Sequence, residues 1–541
     1  MATVNINYWP TDSYFFYLPA AAKLFELPYI SMIHSLPDPD SLGRIAMHGK
    51  EALVLGIAVM QKLLHDPVSL YPNILLLVWA TCCSSILIFL ITRHLFDTAA
   101  ALIAFVLFAG SFWPYMYVLQ GAHQPLVVMF FLLTAYFLLK AQRHWVFCAL
   151  AGAAGGFMMF SSPTAVLYLP YFGLCLFLPD ARFDWRSQLT KRALTQTGVF
   201  ALGFSVVFLY FTLPDPVELA REFMRFVHYS RSINHFDYHH EALKTIFPAP
   251  YKFNLPAPVS FRGGGWGWII KYFMLIMPLL FPAYLACAAC LIKIGAGRRR
   301  FLGAVLISLS TPIAVEVAQV SQFGRSYFSW IIGIIYLVVY TFYYLKTKPA
   351  HPVPQNRRRL FVALTAIFLI AYVALNARIF LSDVFPARMG STLARTWIDR
   401  HGIEHISVYP EHMNNQVTAG VLSTPRLGPS LAYGNMKSIR DIKEGYLFIP
   451  PLTGKNIMGN CVDEDFAGDP ALTELFESGQ IERFAVASFP TLASSRIWLQ
   501  EEEICAYRDL IVGQISREDL NLRGRAYILD ARQLQDTWFL K

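Results

Sequence analysis

The chain of 541 residues is 55% hydrophobic and 15% aromatic with only 15% charged residues, and its mean hydropathy is +0.42. Its apolar residues fall in runs near the ~20 that a helix needs to cross a ~30 Å hydrocarbon core, which excludes an ordinary soluble enzyme and reads as a polytopic membrane protein. The net charge of +9 is no sign of a nucleic-acid partner, because residues 382 to 541 carry −5 and the remainder +14; the positive charge belongs to the membrane part and its orientation.

Residues 1 to 66 read as a first extracytoplasmic loop, rich in aromatics and carboxylates and without a stretch long enough to span. Asp12 heads the segment SYFFYLPAAAKLFE. Asp is a favoured N-cap, so Asp12 either satisfies the first free amides of a short helix or serves as a catalytic carboxylate, and one group can do both. Pro19 predicts a kink in that helix. Tyr8, Trp9, Tyr14, Phe15, Phe16 and Tyr17 predict that it is anchored at the membrane interface, where amphipathic rings sit. Glu51 to Leu64 is apolar but too short to cross, and Lys50, Lys62 and His65 bracket it, so it reads as a second interfacial helix. Lys50 either snorkels toward headgroups or meets a phosphate.

Ten spans follow, at 70–92, 98–118, 123–139, 145–160, 164–178, 194–213, 268–292, 301–320, 326–345 and 360–381. Only Ser161, Ser162 and Pro163 separate the fourth from the fifth, which predicts a broken hairpin. Arg93, the pair Lys140 and Arg143, the group Arg182 to Arg192, the run Lys293 to Arg300, and Lys346 to Arg359 fall in alternate loops, and these are the cytoplasmic ones by the positive-inside bias. An even number of spans then leaves both termini outside. An exported N-terminus needs a preceding helix or signal, and Met1 to Asn7 offers neither; either a first membrane helix is missing from this reading frame or one span is miscounted. Cys82, Cys83, Cys148, Cys175, Cys287 and Cys290 lie in apolar spans as small hydrophobes, whereas Cys461 and Cys505 in the tail are either a disulfide or two thiols.

The longest outer loop is 214–266. It opens with an amphipathic pattern at Leu219, Phe223, Phe226 and Val227, with Arg221, Arg225 and Arg231 around it. The cluster His235-Phe236-Asp237-Tyr238-His239-His240-Glu241 has ligand-capable side chains without a recognised metal spacing. His235 and Asp237 are candidates for sugar or phosphate contacts; a divalent metal is possible there, although nothing in the sequence requires a cofactor. Trp266 and Trp268 either stack on sugar or mark the interface. Glu316, an acid near the outer end of an apolar span, either pairs with Arg325 or lines a substrate cavity. Residues 382 to 541 alternate helical patterns with the strand-like runs HISVYP, GYLFIP, RFAVASF and RAYILD, which predicts a small extracytoplasmic α/β domain, without a phosphate loop or dinucleotide fingerprint.

The order of these parts resembles the GT-C superfamily of membrane glycosyltransferases, in the branch of protein O-mannosyltransferases and aminoarabinose transferases. Asp12 falls where that family has its first acid, with Ser13 where a second is frequent. Lys50 precedes Glu51-Ala52-Leu53 in place of Pro-Pro-Leu. Arg93-His94-Leu95-Phe96-Asp97 fits the family's helix end and Arg325-Ser326-Tyr327 its late outer turn. The turn that often bears an acid reads Gln120-Gly121-Ala122-His123-Gln124-Pro125. The resemblance covers roughly residues 8 to 381 and implies about ten transmembrane helices.

It also implies a polyprenyl-phosphate-sugar donor and an acceptor lipid, glycan or protein hydroxyl at the outer face of a bacterial inner membrane. The implied roles are Asp12 as base and Lys50 and Arg325 at the phosphate; His123, Glu316, His235 and Asp237 stand beside them as candidate substrate contacts. Two rivals stand beside the enzyme: a lipid-linked sugar transporter, kept open by the absent second acid, and a non-catalytic scaffold. The sequence shows no internal repeat and gathers its polar candidates at one face, which favours the enzyme.

Overall fold

The computed structural model describes residues 17–25, 27, 50–67, 70–141, 144–162, 165, 191–212, 266–294, 328–347, 355–388, 390–408, 432–435, 440, 442, 444–449, 471, 474–475, 478–498, 516–518, 521 and 525–536. The helical part comprises α1 (Leu18–Phe25), α2 (Glu51–Leu64), α3 (Tyr71–Leu95), α4 (Thr98–Ala109), α5 (Phe112–Gln120), α6 (Gln124–Ala141), α7 (Val146–Met159), α8 (Lys191–Thr212), α9 (Trp266–Ile276), α10 (Leu280–Ile294), α11 (Trp330–Thr347) and α12 (Gln355–Ile379). Among the described residues five helices are long and apolar enough to cross a membrane, or six when the bent pair α4–α5 counts as one. The protein is an integral membrane protein. The expected spans 301–320 and most of 164–178 lie outside the described residues.

Two expected spans are not continuous helices. α4 and α5 meet at 42°, because Gly110 and Ser111 interrupt the apolar run and Ser111 Oγ accepts from the Trp113 amide (3.4 Å) to start α5 anew. The backbone groups freed by the bend need partners in lipid, and α12 supplies them. Asn376 Oδ1 accepts from the Phe112 amide (3.1 Å) and the Tyr372 hydroxyl donates to Leu107 O (2.8 Å). The expected span 268–292 likewise divides into α9 and α10 at Met277-Pro278-Leu279, where Pro278 lacks an N–H and Leu279 adopts φ 65°. Over the described residues α9 has 11 residues, fewer than a crossing needs. Pro19 lies in α1, and the residues from Asp12 to Phe16 with which the expected helix opens lie outside the described residues.

Close helix contact depends on glycine at one seam. A Cβ on Gly152 would lie 2.0 Å from Phe200 O, and one on Gly203 2.1 Å from Ala149 O, so α7 and α8 approach backbone to backbone. Thr81, Ser84, Ser85, Thr134 and Thr341 return their hydroxyls to the carbonyl four residues earlier, which satisfies them inside the apolar bundle.

Contacts between distant residues show which helix ends share a face. Lys346 Nζ reaches Asp97 Oδ2 (2.7 Å) and Gln196 Nε2 donates to Ala141 O (3.1 Å), which gathers the ends of α3, α6 and α11 that carry basic residues. At the opposite ends, Asn73 Nδ2 donates to Gly121 O (2.9 Å) and the Ala52 amide to Phe160 O (2.9 Å). Arg496, from the tail, meets Asp383 Oδ2 (2.6 Å) and Leu275 O (3.0 Å). Ala493 and Ile497 of the tail are buried in the same apolar cluster as the bundle helices.

The tail holds a five-stranded sheet of β1 (His405–Val408), β2 (Ala432–Asn435), β3 (Tyr446–Ile449), β4 (Ala485–Phe489) and β5 (Ala526–Asp530), in the order β2-β1-β3-β5-β4. β1 runs parallel to β2 and β3, while β5 is antiparallel to β3 and β4. Side chains alternate across it. Leu447, Ile449 and Leu529 join Leu475, Phe484 and Leu534 on one face; Phe448, Ile528 and Ala526 join Ile406 and Ala394 and Ile398 of α13 (Gly390–Arg400) on the other. Four of the five strands coincide with the strand-like runs read from the sequence; β2 was not among them.

Candidate active site

Lys50 occupies the N-cap position of α2, where its carbonyl accepts from the amides of Leu53 (3.0 Å) and Val54 (3.1 Å). Its ammonium donates to the hydroxyl of Tyr17, just ahead of α1, and lies 5.0 Å from the centre of that ring. At the far end of the same helices, Lys62 Nζ lies 5.6 Å from the Phe25 ring. Two lysine–aromatic pairs in this order set α1 and α2 side by side in the same direction. Glu51 is buried in the first turn of α2, a position that favours a carboxylate because the free amides there carry partial positive charge. The bond from the Ala52 amide to Phe160 O places this start of α2 against the end of α7, beside the buried Ser161 and Ser162. The helix expected at Glu51 to Leu64 is present with those bounds. It is packed on the bundle through Leu53, Val54, Ile57 and Ala58, which are fully buried.

The turn between α5 and α6 forms the second part. Gly121 closes α5 at φ 70°, a left-handed conformation open to glycine, and the Ala122 amide returns to Tyr117 O (3.0 Å). Asn73 on α3 grips this turn through Gly121 O. The His123 carbonyl starts α6 by accepting from Leu126 (3.0 Å) and Val127 (3.2 Å), and its Nε2 stands 3.5 Å from Gln124 Nε2. Asn73, Gln120, His123 and Gln124 are all buried. Among the described residues Asn73 Oδ1, Gln124 Oε1 and Gln61 Oε1 have no hydrogen-bond partner. Trp113 and Tyr117 receive Phe328 edge-on, at 5.2 and 4.8 Å between ring centres. Phe328, just ahead of α11, thus packs on α5, the helix that ends in the His123 turn.

Of the candidates read from the sequence, Lys50 and His123 are described, and both lie at the bundle end opposite Asp97 and Lys346. Asp12, His235, Asp237, Glu316 and Arg325 lie outside the described residues, as do Cys461 and Cys505. Asn73 and the pairing of Tyr17 with Lys50 were not foreseen. A lone Asn in an otherwise apolar span was the available signal for the first; nothing local signals a contact across 33 residues. Among the described residues no three His, Cys, Asp or Glu side chains cluster as metal ligands would. Chemically, this end offers an oriented ammonium, an imidazole and buried amide oxygens, groups suited to a phosphate and to sugar hydroxyls.

Residues 56–211, from within α2 to α8, match the family described as Dolichyl-phosphate-mannose-protein mannosyltransferase. No curated protein matches the chain. In fold the chain is similar to the oligosaccharyltransferase of Archaeoglobus fulgidus in its apo form. The TM-score is 0.50 at 13% identity, over 84% of this chain and 67% of that one. It also aligns with ArnT of Cupriavidus metallidurans bound to undecaprenyl phosphate, with a TM-score of 0.46 at 10% identity, over 98% of this chain and 95% of that one. Both of these solved proteins are GT-C superfamily glycosyltransferases. In fold the chain is thus similar to the first of these, and a stretch of it matches the mannosyltransferase family, in line with the resemblance read from its sequence.

Proposed function

We propose that the protein is a glycosyltransferase that moves a sugar from a polyprenyl-phosphate-linked donor to an acceptor hydroxyl on a lipid, glycan or protein, at the outer face of a bacterial inner membrane. The observation that carries this reading is an overlap. The stretch that matches the mannosyltransferase family includes most of α2 and the turn bearing His123, so the family likeness falls on helices that meet at the bundle end where Lys50, Asn73 and His123 lie.

In this reading the acceptor oxygen attacks the anomeric carbon as the bond from that carbon to the phosphate oxygen breaks, with inversion. Asp12 orients the acceptor hydroxyl and takes its proton. Lys50 and Arg325 stabilise the charge left on the polyprenyl phosphate. His123, Glu316, His235 and Asp237 contact donor or acceptor. The tail, residues 382 to 541, is an acceptor-binding or stabilising module on the extracytoplasmic side.

Purified protein in liposomes, given a panel of polyprenyl-phosphate sugars, should release polyprenyl phosphate in step with a glycosylated acceptor. A transporter would move the donor with its sugar–phosphate bond intact, and that outcome would reject the enzyme. The orientation is tested separately: a phosphatase fused after Lys541 should be active and a fluorescent protein that folds only in the cytoplasm should stay dark there.

A further inference from the structure

We infer that Tyr17 is a positioning residue for Lys50, fixing the ammonium where it meets the phosphate of a polyprenyl carrier. The inference rests on the reading of Lys50 as a phosphate partner and adds a residue to which the sequence pattern gave only an anchoring role.

Tyr17 is 1% exposed, whereas Lys50, half-buried, remains in reach of the surface. A free lysine has four rotatable bonds and is a poor template for a single anion. The Tyr17 hydroxyl takes one N–H of the ammonium and the ring face supports the charge from below. A neutral acceptor orients the cation without cancelling its charge, which a carboxylate in the same place would do. The pair at the other end of α1 and α2 supplies the internal contrast. Phe25 gives Lys62 a ring face without a hydroxyl, so the two pairs hold the helices together alike and differ in the phenol oxygen. Tyr17 also stands five residues after Asp12 in the chain, so the same contact joins the segment of the proposed base to the proposed phosphate partner.

The test is a double-mutant cycle on the full chain in detergent, reading the affinity for undecaprenyl phosphate. Tyr17→Phe keeps the ring and removes the acceptor, Lys50→Met removes the charge, and each should weaken binding about tenfold, the scale of a hydrogen bond to a charged group. The double variant should bind no worse than Lys50→Met, because the hydroxyl acts through the ammonium. Phe25→Leu, which loosens the same helix pair at its far end, should bind normally. Affinity for undecaprenol, which has the tail without the phosphate, should not change with Tyr17→Phe, and inorganic phosphate should compete less well against the variant if headgroup and free phosphate share the site.

Full binding by Lys50→Met would overturn the reading of Lys50 itself. Weak binding by Lys50→Met with normal binding by Tyr17→Phe would overturn only the role of Tyr17. The latter also falls if the two losses multiply, if Phe25→Leu binds as weakly as Tyr17→Phe, or if undecaprenol is lost in parallel.

Discussion

The two ends of the helical bundle use polar residues in opposite ways. At the end marked by Asp97 and Lys346, the charged groups are part-exposed and complete one another, and Asp97 also caps α4 through the Ala100 amide (2.8 Å). At the end marked by Lys50 and His123, Asn73, Gln61 and Gln124 are buried, and each keeps an amide oxygen that no described residue satisfies. A buried acceptor without a partner costs roughly 1–3 kcal/mol, so three of them at one end oppose folding rather than assist it. The difference teaches where to look for chemistry: Asp97 and Lys346 pair at one end, whereas the amide oxygens at the other stand where a ligand's hydroxyls can donate to them.

The sharpest way to test that contrast is the residue on which the proposed reaction turns. A positioned base contributes ~10² to 10⁴ in rate. Asp12→Asn keeps the shape and can still cap a helix, so transfer should fall by about that factor while the protein melts normally. Glu26→Gln, Asp38→Asn and Asp40→Asn should each cost far less. Normal transfer by Asp12→Asn would move the base elsewhere, to His123 or Asp237, or remove the enzyme reading.

The sequence made one of these ends far more legible than the other. The bounds of α2 were readable because an apolar run stops at charged residues on both sides, and the positive-inside bias marked the Lys346 end. Four strands were readable from alternation and β-branched or aromatic content. β2, Ala-Tyr-Gly-Asn, has a single aromatic, no β-branched residue and a glycine, and pairs with β1 alone at the sheet's edge. The bend at Gly110-Ser111 and the division at Pro278 were hidden for a different reason. Hydropathy averages over a window, while a helix break depends on one cap or one missing N–H. The Tyr17–Lys50 and Asn73–Gly121 contacts join residues 33 and 48 apart and exist only once the helices pack.

A second test bears on whether the buried polar end is held together by its own bonds. Asn73→Ala leaves Gly121 O without its side-chain donor in a buried turn. The expected loss is about 1–3 kcal/mol of stability, seen as a lower melting temperature in detergent, with transfer reduced as the His123 turn loosens. A variant more stable than the parent would mean that the unsatisfied Asn73 Oδ1 outweighs the bond its nitrogen makes, and the contrast between the ends would lose its structural half.

The smallest effect belongs to Asp97. Burial is the largest single influence on its carboxyl and pushes it up, but the Ala100 amide, Lys346 and the Ala99 amide together hold it below the usual carboxylate value. A carboxylate depressed in the folded state contributes stability that is present above its unfolded value of about 3.9 and is lost as pH falls through the lower folded value. Asp97→Asn should therefore cost no more than about 1 kcal/mol at neutral pH, the range of a part-exposed ion pair, since Asn also caps helices well. The gap between parent and variant should close as pH drops below the carboxylate range, and added salt should narrow it at neutral pH. Transfer should not change, because this pair lies at the end away from Lys50 and His123. If Asp97→Asn abolished transfer and left melting untouched, the proposed division of labour between the two ends would be wrong, because chemistry would then depend on the end whose polar groups are already paired.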